Sequence, residues 1–490
     1  MEEKNWNKLL TEFLPAERIK SRYIDLIAYA NDAGFYHLLP KAVVQPINTI
    51  EIQQLFAFSK FNNIPLTFRT GGTSLSGQSI SDGLLVDLSK YWRKANAEMN
   101  GTLVRVQPGI TGAMVNAILK KYKTKIGPDP SSINAAMMGG ILANNSSGMC
   151  CGVAQNSYHT LHTIRFVLPN GSEFNTGEPK DYYRFKKDAT ILYNHLLELK
   201  NQILHNPELV NKIRHKYKTK NTVGYGLNSF LDYSDPLDIL AHLLIGSEGT
   251  LAFIAEAVMK TVPDLPFKAT VLLYFPNIHA ACSSIIPLKN SGAEALELMD
   301  RAALRSIEHI SGVPVEIISL PETAAAMLCE YQASSLQSLE SLVATGAQAF
   351  KQFELLFTPE FTFDVYKQAL IWKLRKGMFP SVGAVRQQGT SVILEDVAFP
   401  LESLADAVVD IQNLFEKHDY SNGIIFGHAK DGNIHFVVSQ SFNGPKEISK
   451  YEAFIQDVVS LVVNKYKGTL KAEHGTGRNM APFVATEWGD

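Results

Sequence analysis

The chain has 490 residues, 46% of them hydrophobic, with 46 Lys+Arg against 48 Asp+Glu and a net charge of -2. That length and composition describe about three globular domains with a sizeable core, and the balanced charge argues against nucleic acid as a partner. Cys150, Cys151, Cys282 and Cys329 include no CxxC pair, which excludes an iron–sulfur or zinc framework and a disulfide scaffold.

The first residues, MEEKNWNKLL, lack a positive segment followed by an apolar core, and no apolar window is long enough to span a bilayer. The expectation is a soluble, cytoplasmic protein. Residues 42–46 read as a strand. Asn48 and Glu51 then form a capping-box pair before a helix carrying Ile52, Leu55, Phe56 and Phe58, which ends near Asn62 and Asn63. A strand-like run, Ile64–Arg69, breaks into Gly71, Gly72, Thr73, Ser74, Ser76 and Gly77, and the chain leaves again as the strand LLVDLS. Glycines permit positive φ, so successive backbone N–H groups can form one concavity that suits a phosphate or pyrophosphate. Neither P-loop nor Rossmann spacing is present, and a strand rather than a helix follows. A plain Gly/Ser surface loop is the competing reading.

The pattern recurs. Strand 103–106 stops at Pro108 and Gly109, and a helix carries Met114, Val115, Ile118 and Leu119. PDPSS (128–132) and MMGGILANNSSG (137–148) then supply a second glycine- and amide-rich region. Two such passes suggest two lobes closing on one long phosphorylated ligand. Strand 164–171 and a helix around 189–204 follow, and the basic run KIRHKYKTK (212–220) reads as a solvated face. Gly224 and Gly226 imitate part of a dinucleotide fingerprint but read as loop. Residues 237–245 lead into GSEGT (246–250), a tight turn with backbone donors at the mouth of an apolar strand.

RTGGTSLSGQS, DPSS…GG…NNSSG and GSEGTL, in this order, resemble the flavin domain of the vanillyl-alcohol-oxidase/p-cresol-methylhydroxylase (PCMH) superfamily. The resemblance implies FAD held by Arg69, Thr70, Gly71, Gly72, Thr73, Ser74, Gly77, Gln78, Pro128, Asp129, Ser132, Gly139, Gly140, Asn145, Gly148, Gly246, Glu248 and Gly249. Thr70 and Ser147 replace glycines usual in the family. The first loop holds no histidine, so non-covalent FAD is expected.

From about Pro266 strands and helices alternate: strand 268–275, helix 278–288, strand 295–299, helices 300–310, 335–352 and 362–376, strand 391–397, helix 401–418. This predicts an antiparallel sheet with helices on one face. It resembles the substrate cap of the FAD-linked D-2-hydroxyacid dehydrogenases of the same superfamily, through Glu297-Leu-Met-Asp300, Trp372-Lys-Leu-Arg375-Lys and Glu395-Asp396. Next comes IIFGHAKDGNIHFVVS (424–439), where Asp431-Gly432 is a two-residue hairpin signal. With that turn, His428 faces His435, and two imidazoles so paired can share a metal at about 2.0–2.1 Å each. A hydrogen-bonded structural pair is the alternative. A helix over 448–466 then delivers LKAEHGTGR (470–478), with Glu473 as a candidate third ligand and His474 as a candidate base.

GHAxDGNxH followed by EHGxGR resembles the motif pair of the same dehydrogenases, with Lys430 at a usual glycine. The resemblance implies that His428, His435 and Glu473 bind a divalent metal (Zn, Mn or Fe). It further implies that His474 takes the substrate proton, Arg375 binds the substrate carboxylate, and Asn433 lies near the flavin or substrate. Leu394 stands where a lysine is common in the hydroxyglutarate-oxidising branch.

The predicted fold is therefore α+β. An N-terminal helical segment (1–35) precedes a two-lobed PCMH-type FAD-binding domain (36–265). A substrate cap with the histidine hairpin (266–445) and a C-terminal helical segment (446–490) follow. Relatives of this pattern continue past Asp490, so a shortened end with weak flavin retention is also expected. The expected activity is oxidation of a small, D-lactate-like 2-hydroxy acid. The electron acceptor would be a quinone, cytochrome, flavoprotein or iron–sulfur module, in a homo-oligomer with an optional peripheral membrane contact. The alternatives are a non-redox alkyl transferase of the same fold and an inactive flavin-binding fragment.

Overall fold

The computed structural model describes residues 5–489; residues 1–4 and Asp490, the outer ends of the first and last predicted segments, lie outside the described residues. Three sheets carry the structure. The first contains Ile19–Lys20 (β1), Ala42–Val44 (β2), Leu66–Arg69 (β3) and Leu84–Asp87 (β4) in the order β1-β2-β4-β3. β4 pairs in parallel with both β2 and β3. Its residues and those of β2 are all buried, as suits parallel strands covered on both faces. The segment predicted as wholly helical contributes β1, whose Ile19 pairs with Val44. Asn48 caps helix Thr49–Asn62 by accepting from the Glu51 N–H at 2.9 Å, and Asn63 closes the helix in left-handed geometry at φ 51°. Glu51 does not complete the box. Its carboxylate accepts from the Ile47 N–H at 2.9 Å and from the Arg18 guanidinium at 2.5 and 2.8 Å.

The second sheet contains Ala95–Glu98 (β5), Leu103–Val106 (β6), Thr124–Ile126 (β7), Leu161–Val167 (β8), Glu173–Asn175 (β9) and Phe253–Pro263 (β10). Its order is β5-β6-β10-β8-β9, with β7 also on β10. β10 is the strand that leaves GSEGT, so the third glycine loop opens directly from the centre of this sheet.

Phe267–Phe275 (β11), Ala295–Asp300 (β12), Ala325–Ala333 (β13), Ser391–Ala398 (β14), Ile424–His428 (β15) and Asn433–Gln440 (β16) form the third sheet, ordered β11-β13-β12-β15-β16-β14. All its pairings are antiparallel. Sequence patterning passed over β13, AAMLCEYQA, because it is buried at every position and shows no alternation. Its burial reflects a second departure from expectation: helices cover both faces, not one. Helices 278–283, 336–350, 404–417 and 445–459 pack with Leu273, Met327 and Phe436 on one face. Helices 301–305, 315–318 and 365–385 pack with Ala326, Leu328, Phe426 and Val437 on the other. The 365–385 helix continues nine residues past its predicted end at 376, through Pro380. Among the described residues no helix is long and apolar enough to cross a membrane.

Candidate flavin and metal site

The three glycine loops meet at one open cleft. Thr70, Gly72, Thr73, Ser74 and Gln78 come from the first loop, Ser132, Gly139 and Gly140 from the second, and Glu248 and Gly249 from the third. The cleft suits a long cofactor with a phosphate waist. A side chain at Gly249 would enter open space, with no atom within 4 Å, so its backbone faces the cleft directly. Gly139 lies so close to Pro108 that a Cβ would sit 2.5 Å from the proline Cβ.

Other expected FAD residues stand behind this wall and shape the loops. Arg69 donates to the carbonyls of Asn31 (2.8 Å) and Ser79 (3.1 Å), and its guanidinium lies where a side chain on Gly72 (φ +65°) would project. Gly71 backs onto the Ala135 carbonyl and Gly77 onto Arg478. Pro128 is buried, and the Asp129 carboxylate accepts from the N–H groups of Cys150 (3.0 Å) and Cys151 (3.1 Å), with Gly148 packed against it. Asn145 accepts from the Tyr158 N–H at 3.1 Å, beside Gly246. The two replacements of family glycines, Thr70 and Ser147, both line the cleft.

One short segment joins the cleft to the histidine hairpin. Gln78 donates to the His474 carbonyl (2.9 Å) and Asn144 to the Glu473 carbonyl (2.8 Å), while Glu248 accepts from the Gly477 N–H (3.1 Å). Each glycine loop therefore holds residues 473–477 by one side chain. From the opposite side, Asp396 accepts from the N–H groups of Glu473 (2.7 Å) and His474 (2.9 Å). Glu473 and His474 both reach the cleft wall.

The hairpin differs from its predicted register. His428 pairs with Asn433, and His435 with Phe426, because residues 429–432 form a four-residue loop rather than a two-residue turn. Gly432 adopts φ +69° within 2.1 Å (Cβ position) of the Phe399 carbonyl, so packing against the end of β14 decides the turn. The register slips by two residues, and a two-residue slip preserves the face. His428 and His435 thus remain together as diagonal neighbours, with ring centroids 5.0 Å apart. One face of the sheet aligns Glu297 with His428 across β12 and β15, and His435 with Asp396 across β16 and β14.

Glu473 closes the cluster. Its Oε1 lies 3.0 Å from His428 Nε2 and 3.5 Å from His435 Nε2. Ligand atoms of His428, His435 and Glu473 fall within 4.8 Å of one another, and Asp396, His435 and His474 form a second such group. Two imidazoles with a carboxylate suit Zn²⁺, Mn²⁺ or Fe²⁺. Glu297 Oε1 stands 2.8 Å from His428 Nδ1, the kind of partner that orients a ligating imidazole. Burial lowers the His428 pKa, but Glu297 and Glu473 outweigh it and raise it to about 9. Burial pushes His474 down to about 4, so its ring, stacked on His435 at 5.0 Å, is neutral at pH 7. Arg375 is buried, 2.6 Å from Glu297 and over the Phe426 ring. Asn433 is off the cleft wall; it donates to Asp396 at 2.6 Å.

Sequence reasoning missed Lys220, placed on a solvated face. It is buried, donating to the Gly148 carbonyl (2.7 Å) and to Glu473 Oε2 (3.0 Å). Burial would raise the Glu473 pKa, yet Lys220 and His428 hold it well below the ordinary carboxylate range. Lys216 of the same run is also buried, 3.1 Å from Glu487. No local pattern separates these two lysines from their exposed neighbours.

Fold and cleft together define a two-lobed flavoprotein with an antiparallel cap. Residues 40–177 match the FAD binding domain and residues 265–490 the C-terminal domain of FAD linked oxidases. The chain thus carries an FAD binding domain followed by the C-terminal domain of FAD linked oxidases, and its relatives include D-2-hydroxyglutarate dehydrogenases, glycolate oxidase subunits and a D-lactate dehydrogenase. It is 27% identical over 471 residues to the glycolate oxidase subunit GlcD of Bacillus subtilis, covering 94% of this chain and 85% of that one. Against the D-2-hydroxyglutarate dehydrogenase of Haemophilus influenzae it is 24% identical over 488 residues, covering 94% of this chain. It spans 46% of that relative's length. The p-cresol methylhydroxylase structure superposes with a TM-score of 0.66 at 12% identity, covering 99% of this chain and 91% of that one.

Proposed function

We propose that the chain oxidises a D-2-hydroxy acid to the 2-oxo acid. The observation that carries this reading is the adjacency of Glu473 and His474 on one clamped turn. Glu473 joins the imidazole cluster while His474 stands on the wall of the flavin cleft. Bound FAD supplies the hydride acceptor. A divalent ion held by His428, His435 and Glu473 would supply Lewis acidity toward the substrate hydroxyl.

The chain's own residues do the rest. Neutral His474 accepts the hydroxyl proton as general base. Arg375 lies behind the cleft wall beside Glu297, with an Nε that has no hydrogen-bond partner, and would reach the substrate carboxylate only by turning toward the cleft. Asp396 fixes both reacting residues through their backbone N–H groups. The names of the relatives support a small hydroxy acid, and likeness of fold alone does not favour alkyl transfer. Anaerobic mixing of flavin-loaded protein with D-lactate, glycolate and D-2-hydroxyglutarate, each with added Zn²⁺ or Mn²⁺, tests the proposal. Loss of flavin absorbance with release of 2-oxo acid is expected; no bleaching by any of them overturns it.

A further inference from the structure

We infer that Lys220 is a positioning residue of the metal centre: it holds one oxygen of Glu473, so that the carboxylate offers a divalent ion only the other. This rests on the metal site of the function proposed above. The two oxygens of Glu473 face different partners. Oε1 lies 3.0 Å from His428 Nε2 and 3.5 Å from His435 Nε2. Oε2 accepts from the Lys220 ammonium at 3.0 Å. Both imidazole nitrogens that would share an ion with Glu473 therefore stand on the Oε1 side.

The ammonium is itself fixed. It is buried, donates to the Gly148 carbonyl (2.7 Å) and the Asn433 side-chain oxygen (3.4 Å), and has Asp431 at 3.9 Å. The Glu473 backbone is held as well, its N–H by Asp396 and its carbonyl by Asn144. Turning both oxygens to an ion would bring a dication toward the ammonium in a buried site. That repulsion grows as the local dielectric falls. One-oxygen ligation leaves a further position for the substrate hydroxyl, as a catalytic rather than a structural site requires. Lys220 also draws negative charge from the ligand, so an ion is bound less tightly and polarises the hydroxyl more strongly.

A merely structural lysine would weaken the centre when removed; a lysine in this role does the opposite. In competition with a chelator, Lys220→Met should bind Zn²⁺ tighter than the unaltered protein by about 10-fold or more. X-ray absorption at the zinc edge reads the ligation directly. The unaltered, flavin-loaded protein should lack the short distance from ion to carboxylate carbon that two-oxygen binding imposes, and the variant should show it. If the variant does not fold, the spectrum of the unaltered protein decides alone. That short distance in the unaltered protein, or equal or weaker Zn²⁺ binding by the folded variant, overturns this inference and leaves the proposed function standing. A protein that binds neither Zn²⁺ nor Mn²⁺ overturns it together with the metal's part in that function.

Discussion

Replacing Lys220 by methionine removes a cation from a site where water cannot substitute for it. The Lys220 side chain is 1% exposed and Glu473 is 10% exposed, and the ammonium donates to Glu473 at 3.0 Å and to the Gly148 carbonyl at 2.7 Å. Methionine preserves most of the volume, so packing changes little. Breaking one partner of a buried ion pair strands the other charge, at a cost of about 3–5 kcal/mol. The lost bond to Gly148 adds about 1 kcal/mol. Urea denaturation of metal-free Lys220→Met should therefore show a loss of about 4–6 kcal/mol. Glu473→Gln in the same background removes the stranded charge and should recover at least about 2 kcal/mol, giving a clear coupling in the double-mutant cycle. Lys220→Met costing less than about 1 kcal/mol, or the same cost in both backgrounds, would refute the account of Lys220 as the charge partner of Glu473.

His428→Ala should weaken Zn²⁺ or Mn²⁺ binding by at least about 100-fold, measured calorimetrically, while flavin absorbance per protein stays unchanged. His474→Ala should retain the metal and lower the rate of flavin reduction by roughly 10²–10⁴-fold. Gly249→Ala, at φ +75° with open space beyond, should strain the loop by about 1–2 kcal/mol and place a methyl in the cleft, lowering FAD affinity in fluorescence titration. His242, stacked on Tyr233 at 3.7 Å, is held by burial near a pKa of about 4. The unfolded chain takes up this proton near pH 6.5, so stability is full above that pH and falls as pH drops toward 4, by roughly 3 kcal/mol. In His242→Phe that increment should be missing when urea midpoints are compared across this pH window.

Local chemistry in the sequence determined a good deal of this protein. Glycine and hydroxyl clusters marked the loops that line the cleft, since backbone freedom and donors are properties of the residues themselves. Period-two alternation kept His428 and His435 on one face, and that parity survived a turn longer than predicted because the slip was two residues. Tertiary structure alone decided the rest. The turn at Gly432 answers to the Phe399 carbonyl and the second helical layer to a sheet buried on both sides. The roles of Lys220, Glu297 and Asp396 depend on strands and loops brought together from 77 to 253 residues away in sequence. A buried charge takes its meaning from the partner that neutralises it, and no pattern within a short window records which distant residue that will be.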